Sequence, residues 1–130
     1  MEKYNQLTPE IIAQIQAVSE HVLVGDDINV DFARDEMPIY GTHMPDLVVQ
    51  PTSTEEVAAV MKICYESTIP VTPRGAGTGL AGGAVPLLGG VLIDTSKMNR
   101  ILNYDLENFV VEIESGVLLN DLANDCLSKG

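Results

Sequence analysis

The chain has 130 residues, 45% of them hydrophobic, with 7 basic and 19 acidic side chains and a net charge of −12. That size suits one modest domain with one core, and the acidity is the reverse of what a nucleic-acid or anionic-membrane binder carries. No apolar run reaches the roughly 18 residues of a membrane span. Met1–Gln6 lacks the basic-then-apolar order of a signal peptide, so a cytoplasmic location is expected.

Thr8-Pro9-Glu10 starts a helix with a hydroxyl cap, a proline at the first helical position and an acid in the first turn. Ile11, Ile15, Val18 and Val22 then share one face, and Gly25-Asp26-Asp27 ends the helix. Residues 26–46 read as a surface connection with little regular structure, punctuated by Asp, Gly and two Met-Pro pairs. Arg34 and Asp35 within it read as a solvated pair or as a tie to the rest of a larger protein.

Leu47–Gln50 predicts a short strand stopped by Pro51. Ser53-Thr54-Glu55-Glu56 is a capping box for a helix running to about Ser67, with Val57, Val60, Met61 and Cys64 inward. Ile69–Thr72 is the next strand. Pro70 and Pro73 remove ladder donors and push it to an edge. Gly90–Asp94 is the strongest strand, apolar enough to be covered on both faces. Asn99–Asn108 is polar, with Leu102 and Leu106 for local packing. Phe109–Glu114 alternates like a strand with one wet face. After Gly116 a last helix turns Leu119, Leu122, Cys126 and Leu127 inward, with Lys129-Gly130 as its stop. Cys64 and Cys126 are read as buried free thiols, since no C-x-x-C spacing calls for a metal or a disulfide. His21 and His43 read as ordinary surface or packing residues. The final helix follows a strand directly and stops with the chain, so the sequence is expected to be a fragment.

The chemistry concentrates in Pro73-Arg74-Gly75-Ala76-Gly77-Thr78-Gly79-Leu80-Ala81-Gly82-Gly83, where five of eleven residues are glycine. Such a run costs backbone entropy and builds no core. It is kept where the main chain must approach something closely, and bare N–H groups in a turn make a nest for an anion. Gly77–Gly82 satisfies G-x-G-x-x-G, but the residues after it are Gly83-Ala84-Val85-Pro86-Leu87-Leu88-Gly89-Gly90. These do not make the helix that a dinucleotide fingerprint requires. No Gly-Lys-Ser/Thr follows either, which excludes a Walker-type loop. What remains is a loop holding a phosphate by the amides of Gly75–Gly79 and the Thr78 hydroxyl, without a helix. Arg74 either supplies charge or anchors the loop to Asp94 or Glu114; the residues leave both roles open.

Taken in order, several strings resemble the FAD-binding domain of the vanillyl-alcohol-oxidase / p-cresol-methylhydroxylase family. They are Pro45–Pro51, Ser53–Val57, Ile69–Leu80, Gly82-Gly83, Val91–Asp94 and Ser115–Val117. Within the family they are most similar to FAD subunits of glycolate oxidases and to D-lactate dehydrogenases. The resemblance implies an α+β fold: the first lobe of a PCMH-type FAD-binding domain, a small, largely parallel three- or four-stranded sheet flanked by helices. Residues 1–45 would be an N-terminal helix and connection, and residues 46–130 the first subdomain.

The resemblance further implies that Pro73, Arg74, Gly75, Ala76, Gly77, Thr78 and Gly79 wrap the FAD pyrophosphate. Leu80, Gly82 and Gly83 would pass near the flavin. The parent enzyme would oxidise a small 2-hydroxy acid to the 2-oxo acid. Because the loop holds no histidine, FAD would bind non-covalently. The second FAD-binding part and the substrate cap of the family are absent from these residues, so no catalytic side chain is assigned and the chain alone would be inactive. Other expectations keep the fold but differ in role: a non-catalytic interaction subunit or self-associating module, or a member with alkylglycerone-phosphate-synthase-like or reductase-like chemistry.

Overall fold

A computed structural model describes residues 4–130; Met1–Lys3, part of the N-terminal stretch read above, lie outside the described residues. The elements are α1 (Pro9–Val18), β1 (Val22–Val24), β2 (Leu47–Val49), α2 (Thr54–Ser67), β3 (Val71–Arg74), β4 (Val91–Asp94), β5 (Ile101–Asp105), β6 (Val110–Ile113) and α3 (Leu119–Leu127). The main sheet has the order β1-β2-β4-β3. β4 is parallel to both β2 and β3, and β1 is antiparallel to β2. The expected small, largely parallel sheet is present, and β3 is its edge.

Alternation along the two central strands sorts the core into two sides. Leu47, Val49, Val91 and Ile93 point to α1 and α2, where they meet Ile15, Val60, Cys64 and Ile69. Val48 and Leu92 point the other way and pack with Ile28, Leu23 and Phe32. The segment after β1 therefore covers the second face of the sheet. β4 is buried along its whole length because helices cover one side and this segment the other.

The first helix is shorter than its apolar spacing predicts. Thr8 caps it through the Ile11 amide at 3.3 Å, but it stops at Val18. Val22–Val24 instead form an edge strand on β2, and the Gln50 amide donates to the His21 carbonyl at 2.8 Å. Two of these three residues are β-branched, and pairing with β2 satisfies main-chain groups that a continued helix would leave beside the sheet. Residues 26–46 contain three short 3-10 turns, at Gly25–Asp27, Val30–Ala33 and Pro38–Tyr40.

The Ser53 half of the capping box forms, with the Glu56 amide donating to Ser53 Oγ at 3.2 Å, while the Glu56 carboxylate takes the Thr52 amide at 3.4 Å rather than that of Ser53. The Glu56 carboxylate reaches further than the box requires. It accepts from the Thr52 hydroxyl at 2.6 Å, and from the Ser19 hydroxyl at the end of α1 at 2.8 Å. In α2, Val60 and Cys64 are buried as expected, whereas Met61 is exposed.

The last third departs most from the sequence reading. Residues 101–105, read as a polar connection, form β5 and pair with β6 in a separate two-stranded sheet, with a bulge between Ile101 and Asn103. Arg100 ties the base of this hairpin by donating from its guanidinium and its main-chain N–H to Glu114 at 2.7 and 2.9 Å. α3 follows as expected, but it buries no residue. Of the residues expected inward, Leu119, Cys126 and Leu127 are exposed and Leu122 is half-buried; the helix meets β5 through Tyr104, whose hydroxyl donates to Asp125 and lies 3.9 Å from Cys126 Sγ. Among the described residues, no helix is long and apolar enough to cross a membrane.

Candidate functional site: the glycine loop and its clamp

β3 and β4 are parallel neighbours, a connection that usually carries a helix. Here residues 75–90 make it without one. The loop leaves the carboxyl end of β3, the end at which open parallel sheets present their ligand crevice. Among the described residues, no main-chain amide from Gly75 to Ala81 donates an intramolecular hydrogen bond. Gly77 has φ +73°, and a β-carbon on it would run into the guanidinium of Arg74. Two separate reasons thus require glycine at this position.

Arg74 does not reach Asp94 or Glu114. Its guanidinium donates to the main-chain carbonyls of Arg34 at 2.7 Å and Asp31 at 2.8 Å, and lies over the Phe32 ring, 5.8 Å from its centroid. Asp94 is engaged elsewhere, accepting from the Gln50 side chain at 2.7 Å and capping the turn at Ser96. Glu114 is held by Arg100. Arg74 therefore does not take the expected anchor on either acid. It anchors the loop on neutral carbonyls instead. Among the described residues it makes no ion pair, although Asp31, Asp35 and Glu36 line the same cleft.

The connection read as surface filler is the clamp on this loop. Besides the two carbonyls on Arg74, the Glu36 amide donates to the Gly79 carbonyl at 3.2 Å. The Tyr40 ring occupies the space that a side chain on Gly82 (φ +74°) would need. Arg34 pairs with Asp31 at 2.8 Å. Asp35 accepts from the Met37 amide through Oδ1 at 2.8 Å, while its Oδ2 is buried and has no partner.

A cleft of about 450 Å³ opens between clamp and loop, lined by Asp31, Arg34, Asp35, Glu36, Arg74, Ala76 and Gly77. Of the glycine-stretch residues singled out in the sequence, Arg74, Ala76 and Gly77 meet in this cleft. Gly75, Thr78, Gly79, Leu80 and Gly83 lie along the exposed arc outside it, as does Pro73 on the edge strand, and Gly82 sits against Tyr40. Arg34 and Asp35, singled out as a solvated pair or a tie to a larger protein, both line the cleft but do not pair with each other, Arg34 meeting Asp31 instead; Asp31, Glu36 and Tyr40 were missed as parts of this site. Only the density of Asp, Gly and Met-Pro punctuation marked their segment, and that signal says turn rather than site.

This arrangement suits a diphosphate. Free amides in a non-helical bend supply donors, a side-chain-free Gly77 allows close approach, and Arg74 supplies one cation. The acids of the cleft are partly answered locally, because Asp31 is paired with Arg34.

Known proteins resemble this chain in sequence and in fold. Residues 45–130 match the FAD binding domain family. The chain is 60% identical over 129 residues to a D-lactate dehydrogenase of Anaerostipes hadrus, covering 98% of this chain and 27% of that protein. It is 38% identical over 108 residues to the glycolate oxidase subunit GlcD of Bacillus subtilis, covering 81% and 23%. Among solved structures, p-cresol methylhydroxylase with substrate bound superposes with a TM-score of 0.80 at 30% identity, over 92% of this chain and 24% of that one. The chain thus spans about a quarter of the length of these relatives. With the match covering residues 45–130 and the same fold in the solved relative, this chain belongs to the FAD binding domain family.

Proposed function

We propose that this chain is the first lobe of the FAD-binding domain of a flavoprotein that oxidises a 2-hydroxy acid of the glycolate or D-lactate type to the 2-oxo acid. The observation that carries it is the row of partnerless amides from Gly75 to Ala81 in a bend that no helix follows. These amides, with the Thr78 hydroxyl and the Arg74 charge, hold the FAD diphosphate. Leu80, Gly82 and Gly83 run on toward the flavin. The 2-hydroxy-acid substrate is supported by the similarity to the D-lactate dehydrogenase and to GlcD. FAD supplies the electron acceptor for the oxidation, and the lobe's task is to bind and orient it. FAD is held non-covalently: Pro73–Gly83 contains no histidine or cysteine.

The lobe presents only one wall of a cofactor site, and a missing wall removes several kcal/mol of binding. FAD titration of the isolated chain should therefore give a dissociation constant of roughly 0.1–1 mM, with no turnover of glycolate or D-lactate. Sub-micromolar binding would show that the lobe is a complete site. In the complete gene product, Gly77→Val should abolish flavin content; unchanged flavin would overturn the loop assignment.

A second reading, a non-catalytic or self-associating module, is favoured by one observation. Phe109 is 96% exposed, and Leu106, Val110, Leu119 and Leu127 stand exposed in the same third of the chain. A single stable oligomer on sizing without FAD, together with no FAD binding in any context, would establish it.

A further inference from the structure

Polar groups without partners occur on both the loop and the clamp. On the loop, the amides of Thr78, Gly79 and Leu80 donate to nothing among the described residues. On the clamp, Asp35 Oδ2 is buried and accepts nothing. A β-carbon on Gly79 would stand 3.9 Å from that oxygen. The neighbouring residue already bridges the two segments, through the Glu36 amide and the Gly79 carbonyl at 3.2 Å. Asp35 itself is held still by its other oxygen, which caps the Met37 amide at 2.8 Å.

A buried carboxylate oxygen without a donor is costly, whereas the residues of the Thr78–Leu80 arc are exposed and their amides can still reach water. An amide of the Thr78–Leu80 arc turned toward that oxygen would supply the missing donor. The same turn orients the arc, because one end is fixed by Arg74 on the carbonyls of Asp31 and Arg34. The other end is fixed where Gly82 meets Tyr40.

We propose that Asp35 is a positioning residue for the cofactor loop: its Oδ2 takes an amide of the Thr78–Leu80 arc when FAD binds, leaving the amides of Gly75–Gly77 to the diphosphate. The inference rests on the diphosphate assignment above. It also accounts for an acid in an anion site. Asp35 lines the same cleft as Ala76 and Gly77, and in this role its carboxylate divides the loop's donors into a set held by the protein and a set offered to the ligand. Asp35 thus defines where the anion-binding stretch of the loop ends.

The test is Asp35→Asn in the complete gene product, read by FAD affinity, by apo-protein melting and by hydrogen exchange of the loop amides. The Asn oxygen can keep the Met37 bond, but its NH2 then faces amides that also donate; whichever way the side chain turns, one bond is lost. The expected result is a rise of about tenfold in the FAD dissociation constant, with the apo melting temperature within about 2 °C of the unaltered protein. At saturating FAD, the amides of Gly75–Gly77 should be protected in both proteins, and an amide of Thr78–Leu80 in the unaltered protein only. FAD affinity within about twofold of the unaltered protein, or equal protection of Thr78–Leu80 in both, would overturn the role of Asp35. Gly77→Val, measured alongside, separates the two readings. If Gly77→Val abolishes binding and Asp35→Asn does nothing, the loop holds the diphosphate without Asp35. If both bind FAD like the unaltered protein, or the unaltered protein binds none, the diphosphate assignment fails and this inference with it.

Discussion

The guanidinium of Arg74 donates to the main-chain carbonyl of Arg34 at 2.7 Å, across a separation of 40 residues. With its second bond, to the Asp31 carbonyl, this one side chain fastens the glycine loop to the segment that covers the far face of the sheet. Arg74→Lys keeps the charge but offers a single ammonium in place of the planar fork. It should cost about 1–3 kcal/mol in urea denaturation, and it should open Asp31–His43 to limited proteolysis. A variant as stable and as protease-resistant as the parent would mean that the clamp does not depend on Arg74.

At Gly77 the positive φ and the crowding by Arg74 act together. Gly77→Ala should destabilise by at least ~1 kcal/mol. Adding Arg74→Ala should restore only the part due to crowding, so the double variant should remain less stable than Arg74→Ala alone. A double-mutant cycle measures the two parts separately.

Glu56 joins the end of α1 to the start of α2, and the hydrogen bond from the Thr52 hydroxyl holds its carboxyl below the usual carboxylate range, with Ser19 adding to the effect. A lowered folded-state pKa stabilises the fold above the unfolded value near 4.5, and that stability is lost as pH falls through the folded value. Glu56→Ala should cost about 1–2 kcal/mol at pH 7. The difference from the unaltered protein should shrink below pH 4.5. A gap that stays constant down to pH 3 would argue against the ionised carboxylate as the joint.

The two cysteines should react at very different rates. Burial pushes the Cys64 thiol up to about 11, whereas Cys126 is exposed on α3. A thiol reagent at pH 8 should modify one group rapidly and the second only on unfolding. Cys126→Ser should remove the fast phase. If the fast phase survives that change, Cys64 is reached in the native state and the packing of α2 on the sheet is looser than described.

The capping chemistry at Thr8 and Ser53, the helix over Thr54–Ser67, the doubly covered strand β4 and the prolines that push β3 to the edge were all legible in the residues, because each depends on neighbours a few positions away. So was the glycine loop: five glycines in eleven residues with no helix signal after them leave the main chain as the only source of chemistry. What the sequence did not show is what depends on partners far along the chain. Val22 continues the apolar face of α1 in sequence, yet it pairs with Val49. Asn99–Asn108 looked polar, yet its middle becomes β5 through pairing with β6. Leu119, Cys126 and Leu127 sit at helical spacing, but spacing says only that they share a face, not that another element covers it. The clamp is the clearest case. Nothing local to Asp31–Tyr40 distinguishes a turn in solvent from a turn against a ligand loop. Only the folding of Ile28 and Phe32 onto the second face of the sheet brings Asp35 opposite Gly79 and the carbonyls of Asp31 and Arg34 within reach of Arg74. The residues themselves determined a loop with free donors; the tertiary structure alone decided which groups hold it, because long-range burial and not local propensity sets that contact.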